Sequence, residues 1–190
     1  MTTRFALLPV IALAVAACSS DTATPTGPTP PNRPSAPHFA IDVSVDFSNA
    51  PSGAHFAKGA AEPTCTFSGG TASCTSTAIQ GVGNTNAVET LAVTATFSGV
   101  CHNPGVNNKV VEPFSESETA STSVPLTPSR NGRLDVGALT ATGLNLEDFE
   151  ANFTCPNSNW TADVTGSSIS FRYTLTFVGF NDPFIEITGP

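Results

Sequence analysis

The chain has 190 residues, with 7 Lys and Arg against 15 Asp and Glu and a formal net charge of −8. That balance excludes a nucleic-acid surface, which needs clustered Lys and Arg to neutralise phosphates, and equally a polybasic contact with anionic lipid. Polarity comes instead from 26 Thr and 19 Ser, which suit the exposed faces of strands better than helices.

At the N-terminus Arg4 precedes the apolar run FALLPVIALAVAA over residues 5–17, and Cys18 follows directly. The run is too short to span a bilayer, which takes about 20 residues, and it has the length of a signal-peptide core. Its end, Val15-Ala16-Ala17-Cys18, resembles a bacterial lipobox. The resemblance covers the leader only. It implies cleavage after residues 1–17, a diacylglyceryl thioether on Cys18 and acylation, for example by palmitate, of the new N-terminus. Several acyl chains anchor stably where one binds only marginally. Ser19 after the cysteine implies sorting to the outer membrane in a Gram-negative cell. Ordinary secretion, with Cys18 lost in the leader, is the competing reading. Without Arg4 the remaining chain carries 6 Lys and Arg against 15 Asp and Glu.

Residues 19–37 (SSDTATPTGPTPPNRPSAP) hold six prolines and no apolar periodicity, so with Cys18 they read as a tether over 18–37. Extended as polyproline, it would reach roughly 60 Å at about 3.1 Å per residue.

Residues 38–190 read as a single domain. Phe39, Ile41, Val43, Val45 and Phe47 alternate with polar or small residues, which predicts a strand with one buried face. The same parity recurs in Leu91, Val93, Ala95 and Phe97, in Phe149, Ala151, Phe153 and Cys155, and in Ile169, Phe171, Tyr173, Leu175 and Phe177. Weaker strands are expected at 63–68, 71–79, 109–118, 133–141, 160–165 and 184–188. No window shows a helical stripe, and Gly, Pro and Asn interrupt the chain at short intervals. The expected fold is an all-β antiparallel sandwich of immunoglobulin-like architecture, with a small β-barrel as the alternative. Immunoglobulin domains place a tryptophan between their two cysteines, whereas Trp160 follows Cys155 here, so the likeness is one of architecture.

Four cysteines remain: Cys65, Cys74, Cys101 and Cys155. An even set in an exported chain implies two disulfides. Gly69-Gly70 between β-type residues is a hairpin signal. Pairing Ser68 with Thr71 and counting outward brings Cys65 opposite Cys74 at a non-hydrogen-bonded position, within disulfide reach. The predicted pairs are therefore Cys65–Cys74 and Cys101–Cys155. Both Cys101 and Cys155 are expected to point inward from strand ends. Zinc ligation does not fit the spacing of Cys65 and Cys74, nor does a redox motif.

Joining Cys101 to Cys155 makes neighbours of the loops 102–109 and 156–160. His102, Asn103, Asn107, Asn108, Asn157, Asn159 and Trp160 can then gather at one end of the domain. Amides beside an aromatic face suit glycan or peptide recognition. The plainer reading is that Asn, Pro and Gly make turns there and that Trp160 fills core space. Glu112, Glu116 and Glu118, and then Glu147, Asp148 and Glu150, form two acidic sets without the spacing of a calcium loop; a solvated surface is the simpler account. Only His38, His55 and His102 are available as bases, and no G-x-S-x-G, H-E-x-x-H or phosphate-binding glycine loop occurs. Asn152-Phe-Thr154 and Asn159-Trp-Thr161 match the glycosylation sequon and read as chance in a chain with a bacterial-type leader.

The sequence therefore predicts a non-enzymatic envelope lipoprotein without cofactor or metal. Its partners would be the membrane, through the N-terminal lipid, and an unidentified protein or glycan. A glycan- or Ca²⁺-binding module using the two loops is the alternative, and an envelope hydrolase a second one.

Overall fold

A computed structural model describes residues 41–105, 107 and 109–190. The leader, Cys18 and the tether lie outside the described residues, as do Phe39 and Asn108. Alternation of apolar and polar residues organises the fold. It is longest in β6 (Ala87–Asn103), where Ala87, Leu91, Val93, Ala95, Phe97 and Cys101 are buried and the intervening Thr and Ser residues are not. In β10 (Thr161–Phe177), Phe171, Tyr173, Leu175 and Phe177 are buried in the same way. Together with β1 (Asp42–Val45), β7 (Lys109–Leu126) and β11 (Ile185–Gly189) they form an antiparallel sheet in the order β1-β11-β10-β6-β7.

Two three-stranded sheets complete the sandwich. One is β2-β5-β8, from β2 (His55–Phe56), β5 (Thr77–Gln80) and β8 (Leu134–Val136). The other is β3-β4-β9, from β3 (Cys65–Ser68), β4 (Thr71–Cys74) and β9 (Leu139–Thr142). Their buried residues, among them Ile79, Leu134, Ala72 and Leu139, pack with Leu91, Val93, Tyr173 and Ile187 of the large sheet in one core. Each fully buried Val, Leu or Ile side chain among them contributes about 1.5–3 kcal/mol. The architecture is a β-sandwich and not a closed barrel.

The outer face of the large sheet explains the threonine content. Thr90 pairs with Ser123 at 2.9 Å, Thr94 with Thr119 at 2.8 Å and Thr96 with Ser117 at 2.8 Å. These hydroxyls satisfy one another across β6 and β7, an uncharged way of finishing a water-facing sheet.

The cysteine frame is as the hairpin register requires. Ser68 opposes Thr71 and Cys65 opposes Cys74, across a turn in which Gly69 and Gly70 both have positive φ (58° and 79°). The Cys65–Cys74 disulfide joins Cα atoms 4.1 Å apart and Cys101–Cys155 joins Cα atoms 6.0 Å apart.

Four local expectations are corrected. Residues 149–155 are not a strand: Leu146–Asn152 form α1, the one α-helix among the described residues. Asn145 caps it by accepting the Asp148 N–H at 2.8 Å, and Glu147 and Asp148 lie in the first turn, where the helix dipole favours negative charge. Phe149 and Phe153, four apart, satisfy a helical spacing as well as a strand parity, and the cap decides between them. Cys155 accordingly lies in the loop after α1 rather than on a strand, although it is buried. The first strand buries little of its apolar face, because β1 is a four-residue edge strand: Ile41, Val43 and Phe47 are exposed, and Phe47 sits in a 3₁₀ turn capped by Asp46. Finally, 160–165 and 169–177 are one strand, β10, with a register shift between Val164 and Gly166, whereas 71–79 and 133–141 each divide into two strands.

Candidate functional site

At 17, 18 and 17 residues, β6, β7 and β10 run past the main core. Beyond Val93 their inner face is covered by α1 and the segment following it. Phe149 stacks on Phe97 with ring centroids 4.2 Å apart, Phe153 lies 5.0 Å from Phe149, and Phe114 of β7 lies 4.3 Å from Phe153. These rings, with Ala95, form a second small core at the distal end of the sandwich. The Cys101–Cys155 bond closes that end by tying β6 to the loop leaving α1.

The segments that carry His102 and Trp160 adjoin here. Thr161 pairs with His102, so Trp160, half-buried, enters β10 beside the end of β6. His102 is half-buried on the β6 side of a bulge, with its Nε2 3.6 Å from Oδ2 of Asp163. The amides serve the backbone: Asn103 Oδ1 accepts the Gly105 N–H at 3.0 Å, and Asn157 Oδ1 accepts the Asn159 N–H at 3.0 Å. The Asn157 carbonyl accepts the Trp160 N–H at 2.9 Å. Asn107 takes a left-handed φ of 54°, a conformation asparagine tolerates. Their first role is to shape the turns that hold Trp160 and His102 in place. Among the described residues, no three His, Cys, Asp or Glu side chains converge in a metal-binding arrangement.

A second feature was not foreseen from the sequence. Phe114, Glu116 and Glu118 share one face of β7, opposite Gly99, Phe97 and Ala95 of β6. They therefore stand on the side that α1 covers. Glu116 and Glu118 line a cleft of about 290 Å³ together with Phe149, Phe153, Asn152 and Thr154. The signal was present in the common parity of Phe114, Glu116 and Glu118, but the opposite wall depends on α1, which the strand reading had removed.

Among the described residues, the sandwich core holds one carboxylate. Glu89 is 1% exposed, on the inward parity of β6, and its Oε1 accepts the Tyr173 O–H at 3.0 Å. Burial holds the Glu89 carboxyl above its usual range, the Tyr173 donation opposing this more weakly. Burial, and then the nearby carboxylate, push the Tyr173 phenol up as well. This pair is sealed inside the domain and is reached by no cleft described above.

Comparison with protein-family models, curated proteins and solved structures finds no match for the chain. The two disulfides speak for an oxidising, extracytoplasmic environment. No helix among the described residues is long and apolar enough to cross a membrane.

Proposed function

We propose that the protein is an exported lipoprotein, anchored through Cys18, whose β-sandwich serves a non-enzymatic structural or partner-binding role at the cell envelope. The observation that carries this reading is the use of the cysteines. Of five in the chain, four are consumed as Cys65–Cys74 and Cys101–Cys155, and the fifth is the one at the end of the lipobox-like segment. The proline-rich tether then holds the domain away from the lipid surface, in the outer membrane if the cell is Gram-negative. A binding role draws support from the distal end, where loops, a half-buried tryptophan and a cleft are mounted on long rigid strands. Glycan recognition by Trp160 and the loops beside it is the second reading, favoured by the partial exposure of that ring.

The test is expression of the full chain in a bacterial host with labelled palmitate, alongside Cys18→Ser. Wild type should take up label and partition into detergent, and the variant should do neither. An unlabelled, soluble wild type would overturn the anchored reading. For the glycan reading, Trp160 fluorescence should respond to a soluble oligosaccharide; a flat response across a broad panel counts against it.

A further inference from the structure

β7 is the last strand of the five-stranded sheet. Near its C-terminal end it leans on β9, where the Thr122 hydroxyl donates to the Thr140 carbonyl at 3.4 Å. Over residues 114–119 no strand among the described residues pairs with its outer side. An unpaired strand edge offers a row of N–H and C=O groups to any other strand, and proteins protect such edges with proline, bulges and inward-pointing charges. All three occur here: Pro113, the register shift between Cys101 and His102, and the pair Glu116 and Glu118. The same carboxylates would face each other if two copies met along this edge, so the protection is directed against self-pairing.

The protection is also selective. Beside the edge lies the cleft walled by Phe149 and Phe153, with Glu116 and Glu118 at its rim. Neither carboxylate forms an ion pair among the described residues. A strand added to β7 would lie about 4.8 Å away, and its alternate side chains would project over this cleft. A lysine or arginine there meets two carboxylates, and its aliphatic stem lies against the edges of the stacked Phe149 and Phe153 rings. An acidic or purely apolar strand leaves the carboxylates unpaired. Glu147 and Glu150 on the exposed side of α1 and Glu112 on β7 add to a negative field that steers a basic segment toward this end.

We propose that the free edge of β7 over residues 114–119, with the cleft between Glu116, Glu118 and Phe153, docks an extended basic segment of a partner protein by strand addition. The inference rests on the reading of the sandwich as a partner-binding module and names the chemistry of the partner.

The test is fluorescence anisotropy with the full chain in detergent. The probe is a labelled peptide of about eight alternating lysine and valine residues, the length of an ordinary strand. Comparison probes are a glutamate–valine peptide and a lysine–valine peptide with every backbone amide N-methylated. The lysine–valine peptide should bind and the other two should not. Glu116→Gln with Glu118→Gln should weaken binding about ten-fold, and Glu147→Gln with Glu150→Gln by less than about three-fold. Unchanged circular dichroism and melting temperature in both double variants establish that each is folded. Equal weakening by the two double variants would reduce the effect to a diffuse field and overturn the site. Binding of the N-methylated probe would overturn strand addition, and no binding of the unmodified probe would overturn the proposal as a whole. None of these results alters the Cys18 partitioning experiment, so failure of the docking edge is distinguishable from failure of the anchored reading.

Discussion

Removing the two disulfides separately should destabilise the domain unequally, and the difference can be worked from the chain. Cys65–Cys74 closes a loop of separation 9, and Cys101–Cys155 one of separation 54. Chain-entropy arithmetic gives about 2.5 kcal/mol for the first and about 4 for the second. All four cysteines are buried, so replacing either pair by alanine incurs a similar local packing loss. That loss largely cancels in the comparison. What remains is 1.5RT ln(54/9), about 1.6 kcal/mol. Urea unfolding of Cys65→Ala/Cys74→Ala and Cys101→Ala/Cys155→Ala, followed by circular dichroism, measures it directly. The second variant should have the lower midpoint and, because its unfolded chain is released from the longer loop, the larger m-value. A larger loss for the hairpin pair would refute the reasoning, since it would show that strain or local packing outweighs loop closure.

Two further outcomes follow from the core. Because burial raises the Glu89 carboxyl in the folded state, the fold holds that proton more tightly than the unfolded chain does. This contribution is present below the ordinary glutamate range and is lost as pH rises through the raised value, at no more than about 1.4 kcal/mol per pH unit. Glu89→Gln keeps an acceptor for the Tyr173 O–H, so it should be more stable than the parent near neutral pH and flatten that decline; urea midpoints lower than the parent's at pH 7 would contradict this. Phe149→Ala removes the ring stacked on Phe97 and adjoining Phe153, and should cost about 3 kcal/mol. The emission of Trp160, the only tryptophan, should shift on the same substitution if α1 and the loop after it loosen together.

Most of the sandwich was legible because a half-buried strand writes its burial into alternate residues. β6 and β10 follow that rule over nearly their whole length, and Gly69-Gly70 set a register exact enough to choose between cysteine pairings. The rule fails where burial comes from something other than a sheet face. Phe149 and Phe153 carry both periods, and Asn145 with Glu147 and Asp148 was the cap that should have decided for a helix. Ile41 and Val43 alternate correctly, but alternation says nothing of whether a strand is central or at an edge. Glu89 sits at an inward position for which its residue type gives no warning, because the hydroxyl that donates to it, that of Tyr173, lies 84 residues away.

The same failure explains why the candidate site was only half visible. The loop cluster rests on the Cys101–Cys155 bond, which the hairpin register discloses, so the sequence itself places His102 and Trp160 at one end. The cleft rests on a helix crossing the inner face of three strands longer than their core. Strands of 17 or 18 residues cannot be covered by facing sheets whose strands span four residues at most. Something must therefore cover the remaining length, and here it is α1 with its three-ring stack of Phe97, Phe149 and Phe153. That cover is narrow: it seals Ala95 and Phe97 completely and leaves Glu116 and Glu118 at its margin. A sandwich that overruns its core and is capped by so small an element necessarily ends in a rim where apolar rings and an unpaired strand edge lie side by side. At that rim stand the carboxylates of Glu116 and Glu118.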